Sequence, residues 1–129
     1  MADQKIFNSV VHYTSIETNA NWSYPASTDL FAHDADFSTH FKLMRLGIHH
    51  DRLPPGRRTS WPHAEADEEE FVFVIEGEPD LWLDGKVRRL KTGDGVGFLA
   101  GTGIAHVFIN NTDRDVRLLI VGEASRQRS

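Results

Sequence analysis

Between Gly47 and Val121 the chain is a succession of short apolar runs, each closed by a turn rich in glycine, proline or asparagine. Turn signals about every 8–12 residues leave no space for long helices and predict an all-β sandwich or barrel. The strongest run is Glu70-Phe-Val-Phe-Val-Ile75, β-branched and aromatic on both faces, so both faces need cover. Asp80-Leu-Trp-Leu83 leads into Asp84-Gly85, a dipeptide suited to a type I′ hairpin, and Val87 to Leu90 returns. Runs at Val96–Leu99, Ile104–Ile109 and Val116–Val121 complete the series. Upstream, Phe41–Leu46 and Gly47–Leu53 read as two further strands, stopped by Leu53-Pro-Pro-Gly56 because proline lacks a ladder donor.

The 129 residues suit one domain, divided into an irregular arm (1–40), a barrel (41–122) and a polar tail (123–129). Trp22, Tyr24, Phe31 and Phe37 dot the arm. It is expected to hold one or two short strands and a helical turn, and to pack on the barrel or on a partner subunit. The absence of cysteine excludes disulfides, thiolate metal sites and a cysteine nucleophile. Net charge is −5, and the basic residues are scattered, so no nucleic-acid partner is expected. No stretch has the roughly 18 apolar residues of a membrane span, and the first residues lack a secretory h-region. The expected location is cytoplasmic, and the sequons at Asn21 and Asn110 carry no weight there.

His63 and Glu65 lie two residues apart, which on a strand puts both side chains on one face. Glu70 begins an inward series with Val72 and Val74, and His106 shares a face with Phe108 and Asn110. Imidazoles and carboxylates projecting into an apolar barrel are costly unless paired or coordinated, and one divalent cation would satisfy them together.

These positions resemble the cupin superfamily. The first motif is matched by Gly56, His63-Ala-Glu65, four residues, Glu70, six residues and Gly77. The second is matched by Gly93, Leu99-Ala-Gly101, four residues, His106, three residues and Asn110. The resemblance is to small single-domain, RmlC-like cupins. It implies a double-stranded β-helix (a cupin jelly-roll barrel), frequent homodimers, and a metal held by His63, Glu65, Glu70 and His106. Three departures stand out: Glu65 replaces a histidine, Leu99 replaces a proline, and two extra residues separate Gly101 from His106. Only the first touches the ligands. Glu65 either ligates, giving two histidines and two carboxylates, or turns away, leaving a two-histidine-one-carboxylate triad; a degenerate site is the third outcome. The donor set suits Mn, Fe(II) or Zn.

The function implied is a metal-binding enzyme on a small oxygen-rich substrate, sugar-like or carboxylate, by isomerase- or dioxygenase-type chemistry. The competing readings are a non-catalytic small-molecule sensor and a cupin with a dead site, since fold does not select reaction. The sequence names no general base; His50 and an unligated Glu65 are the candidates. His49-His50 puts one imidazole on each face of its strand, so one of them is a candidate to face the barrel as an acid or base, against the competing reading of a structural role. His12, His33 and His40 show no partner pattern and are expected at the surface; Arg57 and Arg58 are expected to be solvated, the competing reading being that they meet an anionic substrate at the barrel mouth. Phe71, Phe73 and Ile75 are expected to face outward, covered by the arm or by a second subunit.

Overall fold

The computed structural model describes residues 6–18, 30–60 and 62–124, so Trp22, Tyr24, Trp61 and most of the polar tail lie outside the described residues. Among the described residues, eight strands carry the fold: β1 (His33–Asp36), β2 (Leu46–Leu53), β3 (Glu70–Glu76), β4 (Asp80–Leu83), β5 (Lys86–Arg89), β6 (Gly95–Phe98), β7 (His106–Ile109) and β8 (Val116–Glu123). Two short helices, α1 (Tyr13–Ile16) and α2 (Phe37–Phe41), and a 3-10 turn at Phe7–Ser9 belong to the first third. No helix among these residues is long and apolar enough to cross a membrane.

The strands form a five-stranded sheet, β1-β2-β8-β3-β6, and a three-stranded sheet, β5-β4-β7. Every strand pair is antiparallel. The segment after β2 widens the smaller sheet. Gly56 N–H donates to Asn110 O at 2.8 Å, Asn110 N–H to Arg57 O at 2.8 Å, and Thr59 N–H to Phe108 O at 2.9 Å. The hairpin expected at Asp84-Gly85 forms with φ of 48° and 90°, the two positive values a type I′ turn requires.

Strand alternation sorts the side chains. Val72 and Val74 of β3, Val116 and Leu118 of β8 and Leu53 of β2 are fully buried, and Leu81, Leu90 and Phe108 join them to close one core. Phe71 and Phe73 point out, as alternation dictates. They stay 43% and 37% exposed, and the described part of the arm lies elsewhere. Tyr13 stacks on His50 of β2, and Glu17 holds Arg52 at 2.8 Å.

Two expectations are corrected. Phe41–Leu46 is not a strand. Asp36 accepts hydrogen bonds from Thr39 N and Oγ1 at 3.0 and 2.8 Å, which caps α2, and Lys42 closes the helix in the left-handed region. The local cap outweighs β propensity there, because Ser38 is buried and receives the Ile48 N–H. His33 is not a surface residue: it is 7% exposed, with Nδ1 beside Thr18 O at 3.0 Å and Nε2 beside Arg57 Nη1 at 3.1 Å.

Gly77 ends β3 just after a bulge that shifts the β3–β8 register between Val74 and Glu76. Its φ is 89°, and a Cβ there would sit 2.7 Å from the Asp115 carbonyl oxygen. Gly77→Ala is therefore expected to cost at least about 2 kcal/mol, since left-handed strain adds to a clash with backbone. Urea denaturation checks this, and an unchanged midpoint would disprove it.

Candidate metal centre

His63 and His106 come from distant stretches, and the backbone brings them together. His106 N–H donates to His63 O at 2.9 Å, and His63 N–H donates to His106 O at 3.3 Å. This reciprocal pair puts the two imidazoles side by side, their ring centroids 4.8 Å apart. Glu70 arrives from β3 in the other sheet, its Oε1 3.1 Å from His106 Nε2. One donor atom from each of His63, Glu70 and His106 lies within 4.8 Å of the others. Glu65 contacts His63 Nε2 at 3.1 Å but stands outside that three-residue cluster.

The supports differ for the two histidines. His106 is 2% exposed, stacked against Phe98 with ring centroids 3.7 Å apart. Its Nδ1 is buried without a hydrogen-bond partner. His63 is more open, with Nδ1 beside Ser60 Oγ at 3.1 Å. Two imidazoles and a carboxylate converging from two sheets, one carrying an orphaned buried nitrogen, fit a divalent cation in donor type and spacing. Asn110, expected to brace its turn, is fully buried: Nδ2 donates to Leu53 O at 2.8 Å and Arg114 O at 2.6 Å, while Oδ1 accepts from Thr112.

All four sequence-nominated metal residues line one cavity of about 330 Å³. Its wall also carries Glu68, Glu69, Glu123, Asp36 and Asp51, and among the described residues no lysine or arginine. Arg57 and Arg58 stand outside it.

The two central histidines of β2 part company here. His50, nominated from the sequence, faces away from the cavity, 3% exposed under the Tyr13 ring, and Arg117 Nε donates to its Nε2 at 3.0 Å. Burial, and then the Arg117 charge, hold its pKa below the ordinary imidazole value. His49 is the one that lines the cavity. Its Nδ1 lies 2.8 Å from Asp34 Oδ1 and 3.0 Å from Asp51 Oδ1. Burial opposes its charge, but the two carboxylates outweigh that and push its pKa up to about 10. Alternation placed the two histidines on opposite faces; no signal in the sequence marked Asp34 as a partner across β1 and β2.

The raised pKa makes His49 a pH-dependent source of stability. The unfolded imidazole titrates near about 6.5, so this contribution is complete below that pH and lost as pH climbs toward 10. Thermal melts between pH 6.5 and 10 are expected to show a falling Tm, flattened in Asp34→Asn. Equal slopes in the two proteins would refute the assignment.

The sequence matches the Cupin domain model (Cupin_2) over residues 49–122. No curated protein matches it. Among solved structures it resembles a sugar phosphate isomerase of the cupin superfamily from Silicibacter pomeroyi, at 32% identity and a TM-score of 0.68. That match covers 71% of this chain and 59% of the other, less than two thirds of its length. A putative sugar phosphate isomerase from Acidithiobacillus ferrooxidans is 20% identical with a TM-score of 0.78, over 93% of this chain and 78% of that one. A predicted oxalate decarboxylase from Thermotoga maritima is 20% identical with a TM-score of 0.71, over 90% and 99%. At these identities the last two speak for the jelly-roll fold alone.

Proposed function

Because the chain belongs to the cupin domain family, we propose that it is a metal-dependent enzyme acting on a small oxygen-rich molecule by isomerase- or dioxygenase-type chemistry. The observation that carries this reading is the convergence of His63, Glu70 and His106 from two sheets on one polar cavity. These three residues would hold the ion, with Glu65 the fourth candidate. A divalent ion held there supplies Lewis-acid polarisation of substrate oxygens; Mn, Fe(II) and Zn suit the donor set.

The remaining residues do the rest of the work. Phe98 and the His63–His106 backbone pair fix the imidazoles before any ligand arrives, which limits reorganisation. The carboxylate-rich wall concentrates cations and repels free anions. It therefore favours an uncharged, sugar-like substrate over a phosphorylated or carboxylated one. Glu65, when not ligated, and His49 are two of the titratable groups lining the cavity and are our candidates to exchange a proton with a molecule held there. The exposed Phe71 and Phe73 on the outer face of β3 support a homodimer formed through that face, which sedimentation would reveal.

The test is turnover. Protein loaded with Mn, Fe(II) or Zn is incubated in D2O with a panel of aldoses, ketoses, their phosphates and small dicarboxylates. Deuterium incorporation is read by NMR and oxygen uptake by electrode. Turnover of at least one compound, lost in His106→Ala, is expected. A loaded protein that binds members of the panel but turns over none is a sensor, and one that takes up no metal is a dead site; either result overturns the reading.

A further inference from the structure

We propose that Asp34, His49 and Asp51 form a proton-transfer site of the cavity, with the His49 Nε2–H as the group presented to the substrate. The inference rests on the reading of the cavity as an active site, and gives to His49 the role for which the sequence nominated its neighbour His50. It begins with the register. His49 of β2 pairs with Ile120 of β8, which pairs with Val72 of β3. Glu70 occupies the next inward-facing position of β3, two strand spacings across the sheet and two residues along it from His49, which puts their backbones about 12 Å apart. A small molecule reaching the metal residues at one end would meet His49 at the other.

The ring is oriented by its partners. Nδ1 is hydrogen-bonded to Asp51 Oδ1 at 3.0 Å and lies at ion-pair distance, 2.8 Å, from Asp34 Oδ1. Nε2 has no hydrogen-bond partner among the described residues, and the side chain is 33% exposed on the cavity side. The groups facing His49 are few. β1 supplies Asp34 and, paired with it in register, Asp36; β2 supplies Asp51; β8 supplies the apolar Ile120, and α2 the uncharged Ser38. Asp51 is 4% exposed, and its burial makes the neighbouring imidazolium its natural counter-charge. With its pKa near 10, His49 carries both ring protons at neutral pH.

The step balances without a co-reactant. The Nε2–H bond breaks, its electron pair stays on Nε2, and the proton goes to a substrate oxygen that has become basic. The neutral ring keeps Nδ1–H on Asp51 Oδ1, with Asp34 Oδ1 alongside, and Nε2 regains a proton from water or from substrate in the next half of the cycle. The same donors also fit a second cation, since Asp34, His49 and Asp51 offer three atoms within 4.8 Å. The open Nε2 on the cavity side is the geometry a proton donor needs, and zinc stoichiometry separates the two occupants.

Two measurements decide it. Nitrogen-15 histidine NMR of the zinc-loaded protein should show His49 protonated on both nitrogens at pH 8 in the wild type. In Asp34→Asn, an edge-strand change that spares the core, it should titrate lower. A neutral His49 at pH 7, or a second zinc equivalent that disappears in His49→Gln, overturns the proposal. In the deuterium assay, His49→Gln should retain metal stoichiometry and lose exchange by about 100-fold or more, with Asp34→Asn shifting the pH profile downward. Exchange at the wild-type rate in His49→Gln, or oxygen uptake without exchange in the loaded wild type, sinks this proposal alone; neither exchange nor oxygen uptake in the loaded wild type sinks it together with the enzyme reading.

Discussion

Replacing His106 by alanine is expected to abolish stoichiometric binding of a divalent ion and the thermal stabilisation that accompanies it. His106 is buried, stacked on Phe98, and joined to Glu70 at 3.1 Å, so it links the two sheets at the centre of the donor cluster. An ion at 100 times its dissociation constant stabilises the folded chain by about 2.7 kcal/mol, or a Tm rise on the order of 10 °C for a domain of this size. Melting with and without added Mn, alongside elemental analysis of protein purified without chelator, reads both quantities. His63→Ala should behave alike. Glu70→Gln should weaken binding far more than Glu65→Gln, because only Glu70 belongs to the convergent set. Equal losses from the two glutamate variants would place Glu65 in the shell as well. Full metal retention in His106→Ala would dismiss the centre.

The second large effect concerns Asn110. It is fully buried, donating to Leu53 O and Arg114 O and accepting from Thr112 N and Oγ1. One side chain thus ties the end of β2, the end of β7 and the turn into β8. Asn110→Ala removes these bonds and leaves polar groups without partners in the interior, at roughly 1–3 kcal/mol for each stranded group. The expected total is about 3–5 kcal/mol, visible as a lowered urea midpoint with an unchanged slope. Asn110→Asp should fare little better, since it trades two donors for a buried charge. A loss below about 1 kcal/mol in Asn110→Ala would mean that the turn holds without its brace.

Much of the fold is legible in the residues, because strand patterning has a period of two and turns have their own chemistry. Glu70, Val72 and Val74 face one way and Phe71 and Phe73 the other, as their alternation requires. Asp84-Gly85 turns as its backbone preferences demand. The mistaken strand at Phe41–Leu46 shows the limit of propensity. A capping aspartate and a buried serine made that stretch a helix and a turn, and neither is visible from apolar content.

The candidate site divides along the same line. Residue types and spacings nominate His63, Glu65, Glu70 and His106 as a set worth bringing together. Their distances were beyond reach of the sequence, because the His63–His106 backbone pair and the approach of Glu70 join separate sheets. His49 and His50 make the point most plainly. Alternation alone dictates that they oppose each other, but which of them meets the cavity depends on the partner strand and on what covers the other side. β8 aligns His49 with inward Ile120, and Tyr13 closes over His50. Periodicity is a relative quantity, fixed by covalent geometry within one strand. Inside and outside exist only once sheets have packed, and burial, charge pairing and the raised proton affinity of His49 follow from that packing.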